Sequence, residues 1–73
     1  MLTVSQSSVY ALRLQPSGAW VWGKIQRLSR HTYRWSIETV GRSVTLRKGQ
    51  TTSFIAARSG LRGAWKTLFG AAL

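Results

Sequence analysis

The sequence predicts an α+β fold: a small antiparallel sheet of three to four strands packed on one C-terminal α-helix. Three observations carry this expectation. Apolar and polar residues alternate along four short segments, turn residues separate those segments, and the apolar period becomes helical after Gly49.

The segment SSVYALRLQ places Tyr10, Leu12 and Leu14 on one side and Val9, Ala11 and Arg13 on the other, a strand over about 8–15. PSG at 16–18 is turn chemistry, and AWVWGKIQRL reads as a second strand over about 19–28. TYRWSIETV alternates most clearly, with Tyr33, Trp35 and Ile37 against Arg34, Ser36 and Glu38, a half-buried strand over about 32–40. Gly41 marks a tight turn. RSVTLRK returns as a fourth strand over about 42–48, with Val44 and Leu46 inward and Thr45 and Arg47 outward with Ser43. A three-stranded version, with the first fifteen residues loosely attached, is the alternative.

Thr52 or Ser53 is the candidate N-cap of the helix, expected over about 52–69. Phe54, Ala57, Leu61, Ala64 or Trp65, Leu68 and Ala72 follow its apolar stripe, and Arg58, Arg62 and Lys66 a neighbouring basic one. Gly60 and Gly63 each weaken a helix by up to about 1 kcal/mol relative to Ala, which is tolerable where they let it lie close to a sheet. The tail FGAAL is expected to fray.

Seventy-three residues make one small domain, residues 1–73, burying about 60% of the surface that its unfolded chain exposes. Without cysteine, neither disulfides nor thiolate zinc sites add to the core; four Trp, two Tyr and two Phe are expected to supply that area. Eleven Lys and Arg face one Glu, for a formal net charge of +10, which favours polyanionic partners. Eight of the eleven are Arg, whose planar fork suits phosphates and guanine edges. No segment approaches the roughly 18–20 apolar residues that span a bilayer, and the amino terminus lacks a signal-peptide pattern, so the expected location is cytoplasmic.

The inventory argues against catalysis. Glu38 is the sole side-chain carboxylate and His31 the sole imidazole, so neither a carboxylate pair nor a carboxylate-rich metal cage can be assembled. No serine sits in a nucleophile-elbow turn, and no glycine motif cradles a phosphate. A non-enzymatic protein with no cofactor and no metal is expected.

Basic residues interleaved with aromatics on strands are the informative pattern. One helix covers one face of a sheet, which leaves the other open for binding unless a dimer covers it. If the second strand runs unbroken, Ala19, Val21, Gly23 and Ile25 face the helix. Trp20, Trp22, Lys24 and Gln26 then share the open face with Arg34 and Arg47, a surface suited to stacking or groove contact. A bulge at Gly23 instead turns Trp20, Trp22 and Ile25 into core. The loop QRLSRHTYR concentrates Arg27, Arg30, His31 and Arg34, which suits gripping a phosphate backbone.

WGK at 22–24, the hairpin YRWSIETVGRSVTL and the helix opening TTSFIAA together resemble the AP2 type of DNA-binding domain and the related integrase arm-binding domains, over about residues 19–69. That resemblance implies a sheet inserted into the major groove. The W-x-I, G-R and helix layout also looks like small phage-encoded regulatory proteins, which implies a phage-type regulator, acting in the host cytoplasm if phage-encoded.

The expected function is therefore a small basic DNA-binding regulator of transcription or recombination. Arg34, Arg47 and Lys24 would reach DNA from the sheet beside Trp20 and Trp22, with Arg27, Arg30 and Arg42 on phosphates. DNA is the expected partner, and sheet-borne aromatics suit single-stranded RNA too. The alternative is a phage-type protein that binds an acidic surface of host transcription machinery, such as RNA polymerase, and inhibits or redirects it. Trp20, Trp22, Trp65 and Phe69 would then be the anchoring residues. LRGAWKTLFGAAL is basic and amphipathic enough to touch an anionic membrane, but the strand-rich remainder argues against a membrane-active peptide.

Overall fold

Three tight reversals set the topology. Gln15 donates its N–H to the Ala19 carbonyl at 2.8 Å across a turn in which Gly18 sits at φ 91°, and Gly41 sits at φ 90°; both are left-handed positions that favour glycine. The two-residue turn Arg30–His31 makes the middle reversal. The structure, a computed structural model, describes residues 7–41 and 44–70. These residues form β1 (Ser7–Leu14), β2 (Trp20–Ser29), β3 (Thr32–Thr39), β4 (Thr45–Thr51) and α1 (Phe54–Phe69). The strands form one antiparallel meander in the order β1-β2-β3-β4, and α1 lies across one face of it.

All four expected strands are present, so the three-stranded alternative falls away. The fourth begins later than the expected 42–48, at Thr45, and runs on to Thr51; Arg42 and Ser43 lie outside the described residues. Of the two N-cap candidates it is Ser53 that caps α1, its Oγ accepting from the Ala56 N–H at 3.1 Å. At the other end Gly70, in the left-handed conformation, donates its N–H to the Lys66 carbonyl at 2.7 Å. The expected helix stripe member Ala72 lies outside the described residues.

The core is a thin layer between sheet and helix. Val21, Ile25 and Ile37 come from the central strands, and Ala57, Leu61 and Trp65 from α1. Trp65 is 5% exposed, so it is a core residue and not the surface anchor that the sequence suggested. Glycine is what allows this close contact. A Cβ at Gly23 would fall 2.9 Å from Leu61 Cδ1 and 3.3 Å from Trp65 Cε3. The Trp35 indole occupies the slot between Gly49 of β4 and Gly60 of α1. Phe54 bridges Tyr10 and Tyr33 at ring-centroid distances of 5.8 and 6.2 Å, and Trp65 meets Phe69 edge-on at 4.7 Å.

The register decides which side chains face where. The β2–β3 ladder is continuous from Val21–Thr39 to Arg27–Tyr33, so β2 is unbroken at Gly23. The irregularities next to the core fall on the two edge strands instead. β1 skips Tyr10 between the pairs Val9–Lys24 and Ala11–Gly23, and β4 skips Leu46 between Ile37–Arg47 and Glu38–Thr45. A bulged residue and its successor point to the same side. Tyr10 therefore joins Ala11 and Arg13 on the helix side, while Val9 joins Leu12 and Leu14 on the open side. This exchanges Tyr10 and Val9 relative to plain alternation.

Candidate nucleic-acid interface

With β2 unbroken, Val21, Gly23 and Ile25 alternate into the core and Trp20, Trp22, Lys24 and Gln26 onto the face that α1 leaves open. Trp20 is 46% exposed; Trp22 is half-buried between its cross-strand neighbours Leu12 and Glu38. The Lys24 ammonium stands 5.6 Å from the Trp22 ring centroid and pairs with Glu38 Oε1 at 2.9 Å. The one carboxylate side chain of the protein is thus matched by a neighbouring cation within the open face. The Trp22 Nε1 is buried and has no hydrogen-bond acceptor among the described residues.

Beyond Lys24 the face becomes polar and basic. Arg34 lies opposite Gln26 and Gln50, and donates to Gln26 Oε1 at 3.0 Å. Lys48 lies opposite Ser36. Lys24, Gln26, Arg34, Ser36, Glu38, Thr45 and Lys48 line one shallow depression of about 160 Å³. The open face therefore runs from two indoles and an aliphatic row at one end of β2 to amides and cations towards the β2–β3 hairpin tip.

The expected cations do not all gather there. Arg47 pairs with Ile37 across the bulge, so it falls on the helix side of edge strand β4, with its Nη1 donating to the Leu46 carbonyl at 2.7 Å. Lys48 takes the place foreseen for Arg47. Plain alternation missed it because nothing in TLRKG announces a bulge at Leu46. Arg27 also faces the helix side, opposite Tyr33 and 6.0 Å from its ring centroid, so it is separated from Arg34 by the sheet. Arg30 and His31 are exposed at the hairpin turn between the two faces. Arg42 lies outside the described residues.

A second basic surface lies on the other side of the molecule. Arg58, Arg62 and Lys66 are exposed along α1 beside Phe54, Ile55, Ser59 and Gly63. Arg58 and Arg62 also border a cleft of about 210 Å³ with Tyr10 and Leu61.

Among the described residues no cluster of three His, Cys, Asp or Glu side chains forms, and no helix is long and apolar enough to cross a membrane. The architecture is that of a four-stranded antiparallel meander with one helix on one face and an aromatic–cationic surface on the other. Compared with protein-family models, curated proteins and solved structures, the chain shows no match.

Proposed function

We propose that this chain is a small non-enzymatic nucleic-acid-binding regulator of the phage type, with DNA as the ligand and the open sheet face as the reading surface. The observation that supports this best is the unbroken row Trp20, Trp22, Lys24 and Gln26, set beside Arg34 and Lys48 on a face with no helix over it. Indoles offer π-faces to unstacked bases, amides offer donors and acceptors to base edges, and Arg34, Lys48 and Arg30 reach for phosphates.

Titration of labelled duplex and single-stranded oligonucleotides by fluorescence anisotropy tests the reading. Three phosphate contacts imply a log–log salt slope of about −2.7 on duplex DNA, hence about 40-fold weaker binding as salt rises from about 50 to about 200 mM. Running DNA and RNA of equal length side by side identifies the preferred strand. Absence of binding at the low salt ends the proposal.

A second reading is favoured by a separate observation. Val9, Leu12 and Leu14 stand on the same open face 51%, 59% and 53% exposed, and aliphatic side chains stack poorly on bases but pack well on protein. An acidic protein surface, such as that of host RNA polymerase, is the partner on this reading.

A further inference from the structure

Strand β1 is held on one edge only. It pairs with β2, and among the described residues no strand neighbours its outer edge, which presents backbone N–H and C=O groups. The other edge strand, β4, is protected: it carries Arg47 and Lys48, is bulged at Leu46, and lies under α1. β1 is bulged as well, at Tyr10, but it is otherwise less protected. Its one charged residue is Arg13, and α1, which covers β2, β3 and β4, brings no Cα within 8 Å of a β1 Cα.

The two sides of this edge differ in chemistry. On the open side stand Val9, Leu12 and Leu14. On the helix side stand Tyr10, which shares a cleft with Arg58, Leu61 and Arg62, and Arg13, which lies against Phe69. The Arg13 guanidinium lies 4.8 Å from the Phe69 ring centroid, and among the described residues its buried Nε has no hydrogen-bond acceptor.

We propose that the β1 edge docks an extended segment of a partner protein in which apolar and acidic residues alternate, adding a fifth strand to the sheet. The period of a strand is two, so alternate side chains of the incoming segment fall on opposite sides. Its apolar residues pack beside Leu12 and Leu14, and its carboxylates meet Arg58 and Arg62 in the cleft beside Tyr10 and, further along the strand, Arg13. Bidentate pairing of carboxylates with guanidinium forks supplies selectivity that the backbone ladder lacks. A second copy of this chain cannot be the occupant on this chemistry. It carries a single acid, Glu38, already paired with Lys24, and a formal net charge of +10 that repels its like. The proposal gives the protein-partner reading a binding mode and stands independently of nucleic-acid binding.

The probe is a labelled ten-residue peptide alternating Val and Glu. It is compared with a block peptide of the same composition and with an alternating peptide N-methylated at every second amide. Saturable binding of the first, at least about tenfold tighter than either control, is expected. Hydrogen exchange of the β1 amides should slow on binding. Leu12→Asp and the double variant Arg58→Glu/Arg62→Glu, both at exposed positions and checked for folding by circular dichroism, should each weaken it about tenfold or more. Equal binding of the block or N-methylated peptide overturns the proposal, because charge attraction alone would then suffice. A concentration-dependent dimer abolished by Leu12→Asp also overturns it, since a second copy would hold the edge. An oligonucleotide titration on the same sample separates the two readings. Oligonucleotide binding without peptide binding removes this proposal alone, whereas peptide binding without oligonucleotide binding supports it.

Discussion

Replacing Gly60 by Ala should destabilise this protein, although the same change in an exposed helix interior stabilises by about 1 kcal/mol. The reason is the Trp35 indole. A Cβ at Gly60 would fall 2.9 Å from its Cε2 and 3.1 Å from its Cδ1, and closer still to Nε1. Carbon atoms pack comfortably at about 3.5–4.0 Å, so the ring must move by roughly 0.5–1 Å. It has nowhere to go. On its other side lies Gly49, where a Cβ would stand only 2.5 Å from the same Cε2. Overpacking of this kind costs about 1–3 kcal/mol, which equals or exceeds the propensity gain.

Gly63→Ala is the matched control: the site is in the same helix, and a Cβ there meets nothing within 4 Å. Both variants share the propensity gain, so the stability gap between them isolates the clash at about 1–3 kcal/mol. For a domain of this size that is at least about 4 °C in Tm. Thermal and urea unfolding followed by far-UV circular dichroism measures it. Adding Trp35→Leu should remove the penalty of Gly60→Ala and make the two substitutions non-additive. If Gly60→Ala is as stabilising as Gly63→Ala, the indole is not wedged between two glycines and the packing argument fails.

Three further outcomes are expected. Trp20→Ala should leave the unfolding midpoint nearly unchanged, since the side chain is half exposed, yet weaken single-strand binding by about 1–3 kcal/mol in anisotropy titrations. Glu38→Gln releases Lys24 from its ion pair, so the affinity for nucleic acid should rise at low salt and the log–log salt slope steepen by about 0.9. Ser53→Ala removes the side-chain acceptor for the Ala56 N–H and should cost about 1 kcal/mol by urea denaturation, with no change in binding at saturating folded protein.

Much of the fold could be read from residue order because the period was clear where it mattered. TYRWSIETV alternates without a fault and became β3, one of the two central strands, and the stripe Ala57, Leu61 and Trp65 became the buried face of α1. The candidate site was legible only in its centre. Trp20, Trp22, Lys24 and Arg34 share the open face because β2 and β3 pair without interruption between them. Arg47 and Tyr10 went astray because bulges sit at Leu46, next to Arg47, and at Tyr10 itself, on edge strands where a skipped residue costs only one ladder step. The two helix glycines looked equivalent in sequence. Only the placement of Trp35 separates Gly60, which is required, from Gly63, which is not.

The meander has a kinetic consequence. Each strand pairs with its immediate predecessor through a short turn, so loop-closure entropy is small at every step and the sheet can assemble as successive hairpins. Docking of α1 then holds the backbones of β2, β3 and β4 closely, whereas β1 meets it only through side chains such as Tyr10 on Phe54 and Arg13 on Phe69. The first strand is therefore a separate unit of local opening, tied only by its ladder to β2 and a few side chains. In native-state hydrogen exchange its amides should open at lower free energy than those of β2 and β3, and peel away while the rest of the molecule stays folded.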